Sequence, residues 1–452
     1  MKKNKIFGWL AMTLLLAGGL SFTSCEDQPD KFELTDGTPT INYIRMPYLA
    51  QADSLIDAAS MESIICLVGN NLTSIREIYF NDQKAQLNTS YITEHTLFVQ
   101  VPDGIPDEVS DKIFMITKSN ETVEYPFHVI VPGPTITSMS YEAAKPGTEV
   151  TIYGDYFIDD PNVPLSIIFP GNVAVTEIKE INKTSVRFII PANATEEGKI
   201  TIKTIYGTAT SKFRYNDTFT ESGGMLFDFD GLTGLGNHGW HERVITTDDE
   251  ALTGNYVQLG DGTTVLDAAA GWNDGLFSFE YWAGSWNSPV DYPERDGIRL
   301  FDLVKGFDDP SEFALKFDLC IPADKAWKSG AMQIIFAGVD RVSLNSGVDI
   351  YGNTCAGANN TFFHDDNNPL PRALYCPWAA TGSFDTGGKW ITVTLPIATD
   401  FKYDYTGALI SGATLKKEDF ASLTIFVWEG GRAGTDCTPL IKIDNIRLVS
   451  IK

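Results

Sequence analysis

The stretch from Trp272 to Pro289 contains the densest group of aromatic side chains in the chain, with Tyr281 next to Trp282 and three small residues between Trp282 and Trp286. A flat aromatic ring can stack on the apolar C–H face of a sugar ring while polar neighbours bond the sugar hydroxyls. In an extended segment Trp282 and Trp286 face the same side about 13 Å apart, roughly the length of two to three sugar units. This spacing predicts a stacking site for an extended glycan. Because tryptophan is often largely buried, the alternative is that either ring belongs to the core.

Acidic side chains near this group could instead support hydrolysis of a glycosidic bond. A glycoside hydrolase needs two carboxyl groups about 5–9 Å apart, on opposite sides of the scissile bond. Glu280, Asp291, Glu294 and Asp296 are close together in sequence, but no spacing or motif singles out a pair. The five histidines are scattered, and neither a nucleophile elbow nor an HExxH pattern occurs. We therefore predict a binding protein and not an enzyme, with no cofactor and no metal site.

Charge and cysteine content narrow the class of ligand and the compartment. The net charge is −25, which disfavours nucleic acid and anionic membranes as partners because both attract positive surfaces. Cys66 and Cys320 lie in apolar, strand-like runs and are predicted to be buried thiols. Cys355 and Cys376 flank a polar segment and could form a disulfide in an oxidising compartment. These observations fit an extracytoplasmic protein with a neutral ligand.

The N-terminus has the pattern of an exported protein. Lys2, Lys3 and Lys5 precede an apolar run over residues 6–20, and small residues then lead to Cys25. A cysteine at this place resembles the lipobox of bacterial lipoproteins, in which the thiol is acylated; the alternative is an ordinary signal peptide. Acidic residues follow at positions 26, 27 and 30, which resembles the surface-export signal of lipoproteins in gut Bacteroidota. The resemblance implies a lipid-anchored protein exposed on the outer face of the outer membrane.

Most of the chain after residue 38 consists of short runs of Val, Ile, Thr, Tyr and Phe between turn-forming residues, which predicts an all-β fold. A repeat with an offset of about 85 to 90 residues, rising to 95 at its first segment, divides the first part into two copies. Each copy starts with Pro-Thr-Ile, continues with an apolar strand that ends in Gly69 or Gly154, and reaches a strand that closes on Pro102 or Pro191. This pattern resembles the IPT/TIG type of immunoglobulin-like domain, whose members are mostly spacers or interaction modules.

A larger sandwich is predicted after a polar boundary near residues 216–224, and all tryptophans of the mature chain lie beyond it. The final apolar run, residues 440–449, alternates with a slip that predicts a β-bulge near Asp444. Its Ile-Asp-Asn-Ile-Arg segment resembles the last strand of jelly-roll carbohydrate-binding modules. Bound calcium is possible in such a domain, although the neighbouring acidic residues in this C-terminal domain fit exposed loops equally well. Strand-like sequence around them predicts that four further aromatic residues are core: Phe277, Phe279, Trp390 and Trp428.

The predicted organisation is a signal peptide, a tether, two tandem immunoglobulin-like sandwiches and a larger jelly-roll-like sandwich. The boundaries are residues 1–24, 25–38, 39–132, 133–216 and 222–452. This order resembles the surface glycan-binding lipoproteins of Bacteroidota polysaccharide-utilisation (starch-utilisation-type) loci, in the elongated type related to the xyloglucan-binding member.

The family resemblance implies a ligand, a partner and a set of site residues. The last sandwich would bind a plant-type β-glycan such as xyloglucan, mixed-linkage glucan or β-mannan, and the protein would work with an outer-membrane glycan transporter complex. Tyr281 and Trp282 would be the adjacent aromatic pair of the binding platform, with Trp240 or Trp272 as a distant partner. An adhesin or structural spacer without a glycan ligand is the alternative.

Overall fold

The computed structural model describes residues 32–51, 53–217, 224–237, 243, 245–247, 254–283, 298–338 and 369–452. These residues form three β-sandwiches, which confirms the predicted all-β fold. The chain divides into two compact units, Met1–Val131 and Pro132–Lys452, and the second unit contains two of the sandwiches. The α-helices in the described part are single turns, Asp274–Phe277 and Ile397–Asp400. Within the same residues, no helix has both the length and the apolar character needed to cross a membrane.

The first sandwich contains strands β1 to β9. One sheet has the order β1-β3-β6, the other has the order β5-β4-β7-β8, and β2 and β9 form a parallel pair. Alternate residues of both sheets are buried, as expected for two sheets that face each other over one core. The strand bounds are β1 Thr40–Arg45, β2 Ala58–Ser60, β3 Ile64–Asn70, β4 Ile75–Phe80, β5 Gln83–Ala85, β6 Thr96–Gln100, β7 Lys112–Thr117, β8 Thr122–Pro126 and β9 His128–Ile130.

The second sandwich contains strands β10 to β17 and repeats the two facing sheets of the first, with an added edge strand, β14, and with no counterpart of the β2–β9 pair among its described residues. Its sheets have the orders β10-β11-β15-β14 and β13-β12-β16-β17. Buried apolar residues from both sheets form a single cluster between them. The bounds are β10 Thr135–Met139, β11 Glu149–Asp155, β12 Ser166–Phe169, β13 Val173–Ala174, β14 Ile178–Asn182, β15 Ser185–Ile189, β16 Thr201–Thr204 and β17 Gly207–Thr210.

Both immunoglobulin-like sandwiches begin with a bulged strand packed tightly on a glycine. The register between the first strand and its neighbour shifts at the same place in both copies. A Cβ atom added to Gly69 would lie 1.8 Å from the backbone oxygen of Thr40, and one added to Gly154 would lie 1.9 Å from that of Thr135. The conserved spacing of the repeat therefore has a steric cause, because only glycine allows this approach of two backbones.

The C-terminal sandwich is built from a six-stranded sheet and a four-stranded sheet, joined by the main hydrophobic core of the second unit. The six-stranded sheet has the order β19-β20-β27-β22-β25, with β18 also paired to β27, and the four-stranded sheet has the order β21-β26-β23-β24. The bounds are β18 Gly224–Phe227, β19 Ile245–Thr246, β20 Tyr256–Leu259, β21 Ser278–Tyr281, β22 Phe313–Cys320, β23 Ala331–Ala337, β24 Ala373–Tyr375, β25 Ile391–Pro396, β26 Ser422–Trp428 and β27 Ile441–Ser450.

The last strand, β27, contains the predicted bulge. Its register against β22 shifts between Asp444 and Arg447, and Asn445 has a left-handed φ of 49°. The extra residue lets the strand keep its apolar side chains in the core on both sides of the slip. Those buried side chains are Ile441, Ile443, Ile446 and Leu448.

The second and third sandwiches share a core across their junction. Tyr256, Cys320 and Trp390 of the C-terminal sandwich belong to the buried cluster of the second sandwich. The Tyr256 and Trp390 rings meet edge to face with centroids 5.8 Å apart. Trp390 is therefore core as predicted, and the core it joins spans two sandwiches.

A buried set of polar side chains, here called the junction network, crosses the same interface: Glu142, Lys316, Asp318, Thr392 and Arg447. Lys316 Nζ donates to Glu142 Oε1 at 2.5 Å, and Arg447 donates to Glu142 Oε2 at 3.4 Å and to Asp318 Oδ1 at 3.2 Å. Thr392 Oγ1 donates to Asp318 Oδ1 at 2.9 Å and accepts from the Glu142 N–H at 3.0 Å. The four charged residues are buried, so each depends on its partners for stabilisation.

Four cysteines in the described residues carry free thiols. Cys66 and Cys320 are fully buried, as predicted. Burial raises the pKa of the Cys376 thiol to about 11, which makes it a poor nucleophile at neutral pH. Cys355, its possible disulfide partner, lies outside the described residues.

Candidate functional site

The four-stranded sheet of the C-terminal sandwich has an apolar inner face and a mixed outer face. Phe279, Ile334 and Ile425 point into the core, and period-2 alternation places their neighbours on the other side. We call that side the outer face. Antiparallel pairing aligns its members in rows across the strands. The outer face consists of Ser278, Glu280, Trp282, Gln333, Ile335, Thr424, Phe426 and Trp428.

Four rings at one end of the outer face form an aromatic cluster: Trp272, Tyr405, Phe426 and Trp428. Trp272 meets Phe426 edge to face at 4.6 Å between centroids and Trp428 at 5.1 Å. Tyr405 stacks nearly parallel on Trp428 at 5.4 Å, with an interplanar angle of 4°. Phe426 and Trp428 are buried, whereas Trp272 is 39% exposed and Tyr405 is half-buried. Two buried rings therefore hold two partly exposed ones.

The geometry at Trp272 suits stacking on a sugar. Edge-to-face contacts are the favoured arrangement of aromatic pairs and fix the plane of the indole. A ring that is already fixed loses little conformational freedom when a ligand binds, which favours affinity. Trp272 immediately precedes Asn273, the N-cap residue of the helical turn Asp274–Phe277. This is the predicted site residue whose environment matches its predicted role.

A buried arginine and a glutamine support the aromatic cluster from below. Gln333 Nε2 donates to the Trp428 carbonyl at 2.8 Å and to the Tyr405 carbonyl at 3.3 Å. Arg372 Nη1 donates to Gln333 Oε1 at 2.7 Å, and its Nε donates to the Leu370 carbonyl at 3.2 Å. Burial lowers the pKa of the Arg372 guanidinium to about 9, against the attraction of Asp404 and Tyr405. The pair therefore ties the Tyr405 loop to the sheet.

Polar groups continue the outer face beyond Phe426. Arg243 Nη2 donates to Ser278 Oγ at 2.8 Å, and its Nη1 donates to the Gly275 carbonyl at 3.1 Å. Ser278 lies opposite Phe426 across the strand pair, and Glu280 lies opposite Thr424. Ser278 is 1% exposed and Glu280 is 4% exposed, so these polar groups stabilise the packed sheet and do not face a ligand in solution.

The prediction that Tyr281 and Trp282 form an exposed stacking pair is wrong. Each is only 1% exposed, so neither ring offers a face to a sugar. Tyr281 points into the core against Phe227, and its hydroxyl donates to the Ile298 carbonyl at 2.7 Å. Trp282 lies on the outer face in a cluster with Ile335, Ala337 and Leu370, and its Nε1 donates to Thr424 Oγ1 at 3.0 Å. The physical reason is that both faces of this sheet are buried at β21.

Two further predicted site residues, Trp240 and Trp286, lie outside the described residues. Sequence reasoning missed Tyr405, Phe426 and the Gln333–Arg372 pair. The alternation of Thr424, Phe426 and Trp428 along one strand was a usable signal, because it puts two aromatic rings on one face. Trp428 is buried as predicted, and it is also a member of the aromatic cluster.

Comparisons with known proteins agree with this architecture. Residues 219–450 match the family model described as the surface glycan-binding protein B xyloglucan binding domain. Residues 134–220 match the IPT/TIG domain model, which confirms the resemblance seen in the second repeat. The first of these matches covers more than half of the chain.

Two individual proteins are similar over different lengths. The crystal structure of the surface glycan-binding protein PbSGBP-B from Prevotella bryantii shares 45% sequence identity, covers 93% of this chain and 100% of that chain, and superposes with a TM-score of 0.80. An IPT/TIG domain-containing protein from Bacteroides ovatus is 30% identical over 218 residues, which are 45% of this chain and 43% of that protein. This chain thus matches less than half the length of the B. ovatus relative. The chain belongs to the surface glycan-binding protein B family.

Proposed function

We propose that this chain captures a xyloglucan-type β-glycan without cleaving it, and that the aromatic cluster of the C-terminal sandwich is the binding site. The observation that carries the proposal is Trp272, a partly exposed indole fixed edge to face against two buried rings. The matched family model supports a polysaccharide ligand and, among plant β-glycans, favours xyloglucan. Affinity from stacking on a neutral sugar should change little with ionic strength.

The described residues of the cluster have different roles in this proposal. Trp272 stacks on a sugar ring, and Tyr405 supplies a second aromatic surface. Gln333 and Arg372 are positioning residues, since they hold the backbone of Tyr405 and Trp428. Trp240 and Trp286 remain predicted stacking residues.

Calorimetric titration of the full mature chain tests ligand and site together. Xyloglucan, mixed-linkage glucan and β-mannan are the candidate ligands, and starch is the α-linked control. Trp272→Ala should weaken binding of the preferred β-glycan by about tenfold or more, since each ~1.4 kcal/mol of lost contact energy is a factor of ten. Tyr153→Ala is the matched control, because Tyr153 is also exposed but belongs to the second sandwich. Failure of every β-glycan to bind would refute the function, and normal binding by Trp272→Ala would refute the site alone.

Catalysis is tested separately on the same preparation. A capture protein leaves the polymer intact, so prolonged incubation with xyloglucan should release no reducing ends above the protein-free control. Glu280 is the carboxylate on the outer face, so it is the residue to test for a catalytic role. Because a capture protein does not hydrolyse the polymer, Glu280→Gln should leave the amount of released reducing ends unchanged. Reducing ends that the wild-type protein releases and the Glu280→Gln variant does not would instead establish hydrolysis.

We also propose that the protein is anchored through a lipidated Cys25 on the outer face of the outer membrane and works with a glycan transporter complex. The support is the lipobox-like and acidic segments at the N-terminus, together with family membership. Cys25→Ala should move the protein from the membrane fraction to the soluble fraction. Protease added to whole cells should degrade the wild-type protein, and resistance to it would contradict surface exposure. Crosslinking in cells that carry the transporter tests the partner.

A further inference from the structure

The two immunoglobulin-like sandwiches differ at one sheet edge. In the second sandwich, β14 pairs antiparallel with β15 from Asn182 opposite Ser185 to Ile178 opposite Phe188. In the first sandwich, β6 is the equivalent of β15, and it is the last strand of its sheet in the described residues. One bridge, between Ile92 and Leu97, marks where a fourth strand would begin. Ile92 precedes Leu97 by the same number of residues as Ile181 precedes Val186 in the second copy.

The chain of the first sandwich leaves this edge because of a local turn. Residues Thr89–Tyr91 form a 3₁₀ turn where the second sandwich has strand residues 178–180. The Asn88 side chain accepts from the Ser90 N–H at 3.0 Å, an interaction that competes with strand pairing. The second copy has Ile, Lys and Glu at the matching positions, a pattern compatible with a strand.

The turn opens a cleft of about 820 Å³ along β6. This volume is within the range of protein ligand sites, about 300–1,000 Å³. Tyr91 and Ile64 on its rim are 58% and 50% exposed, and Leu87 is half-buried. Phe98 and Gln100 of β6 run along its wall. The cleft therefore combines an apolar rim with the edge of a strand.

Backbone polar groups of β6 point into this cleft at regular intervals. The Val101 N–H donates to the Ser63 carbonyl at 2.9 Å, so Val101, and by alternation Val99, direct their backbone groups toward β3. Phe98 and Gln100 alternate with these two residues along β6 and direct their own backbone groups to the opposite side. In the second sandwich, the N–H of Ile189, the equivalent of Gln100, donates to the Glu177 carbonyl at 3.0 Å. A backbone carbonyl thus already occupies this position in the sister domain.

We propose that β6 accepts an extended polypeptide strand of a partner protein, added antiparallel at the position that β14 fills in the second sandwich. Alternating N–H and C=O groups along a strand edge match the spacing of another peptide backbone, which is the basis of strand addition. The strand would present an apolar side chain beside Val99, as Ile178 does beside Phe188. The interaction surface is distinct from the glycan site proposed above, because it belongs to the first sandwich.

A peptide with the sequence of residues 176–183, Thr-Glu-Ile-Lys-Glu-Ile-Asn-Lys, is the probe, because it contains the strand that fills the edge in the sister domain. Hydrogen–deuterium exchange on the full mature chain reads the amides of Phe98 and Gln100. Saturating peptide should slow both by about tenfold or more, as for amides that enter a hydrogen-bonded ladder. A scrambled peptide of the same composition should have no effect. No protection, or equal protection by the scrambled peptide, would overturn the proposal.

Two variants locate the interaction. The triple variant Thr89→Ile, Ser90→Lys, Tyr91→Glu copies the second sandwich and should fill the edge from within, abolishing the peptide effect. Gln100→Pro removes the outward N–H and should also abolish the effect, whereas Gln100→Ala keeps the N–H and should preserve it. Slow exchange at Val99, which faces β3, shows that each variant is folded. A folded Gln100→Pro that still binds the peptide would refute the proposal, as would protection of Phe98 and Gln100 by xyloglucan oligosaccharides in place of the peptide.

Discussion

The two immunoglobulin-like sandwiches share a repeat but use their surfaces differently. Both start with the same bulged strand packed on Gly69 or Gly154. The second has a filled sheet edge and contributes Glu142 to the junction network with the C-terminal sandwich. The first forms a compact unit of its own and leaves an edge strand next to an open cleft.

This difference shows which parts of a repeated fold are constrained. The bulge and its glycine are required in both copies, because the backbones approach too closely for any side chain. Surfaces outside the core are not constrained in this way, so the copies could diverge there. The second sandwich shares its core with the C-terminal sandwich, and the first has an edge strand beside an open cleft. The predictions below test how far this division extends.

The largest effect is expected from Glu142→Ala. The change leaves Lys316 and Arg447 as buried cations without their shared partner, and removing one side of a buried ion pair costs about 3–5 kcal/mol. Urea unfolding followed by tryptophan fluorescence should show this loss in the second unit. Glu149→Ala is the control, because its pair with Arg187 is exposed and should contribute about 0–1 kcal/mol. Equal losses in the two variants would contradict a special role for the junction network.

The next effect is expected from the paired glycines. Gly154→Ala places a Cβ 1.9 Å from the Thr135 oxygen and 2.6 Å from the Phe157 ring, and Gly69→Ala meets the Thr40 oxygen at 1.8 Å. Each should cost about 2–3 kcal/mol through forced displacement of packed atoms. Limited proteolysis should locate the destabilisation caused by Gly154→Ala in the second unit and that caused by Gly69→Ala in the first unit.

Gly236→Ala is the neutral control for this pair, because no atom of the described residues lies within 4 Å of its added Cβ. If Gly69→Ala destabilised the second unit as strongly as the first, the two units would not be independent.

A smaller effect is expected from Thr392→Val. The substitution keeps the shape of the side chain but removes the hydroxyl that links Asp318 to the Glu142 backbone. The Asp318 carboxylate and the Glu142 N–H would each lose one hydrogen-bond partner, which should cost about 1–3 kcal/mol in the free energy of unfolding. Thr394→Val on the same strand is the control, since Thr394 is exposed. Indistinguishable unfolding midpoints for the two variants would contradict the link.

A pH-dependent effect is expected at Asp444. Burial, together with the neighbouring Asp318 carboxylate, raises the pKa of Asp444 to about 8. Between the ordinary aspartate pKa of about 4 and pH 8, the folded state therefore holds a proton that the unfolded chain has lost. Stability present below pH 4 is lost as pH rises through 8, and Asp444→Asn should recover at least about 1 kcal/mol at pH 8.5. Parallel pH profiles for the variant and the wild type would contradict this assignment.

The sequence predicted the all-β fold and the bulge in β27, because both follow from local alternation and turn residues. It could not predict the burial of Trp282, since a period-2 pattern tells which side chains share a face but not whether that face is covered. The junction network was also beyond reach. Its ion pairs join Glu142 to residues 174 and 305 positions away, and such contacts depend on the final packing of two sandwiches. Tyr405 joins the aromatic cluster through a loop whose course no local pattern encodes.

The shared core between the second and third sandwiches has a mechanical consequence. A polysaccharide that is bound to the C-terminal sandwich and pulled by flow exerts a force on that sandwich. Tyr256, Trp390 and the junction network join the described parts of the two sandwiches through a packed interface. We expect this interface to transmit the force to the second sandwich and so to limit reorientation of one sandwich against the other.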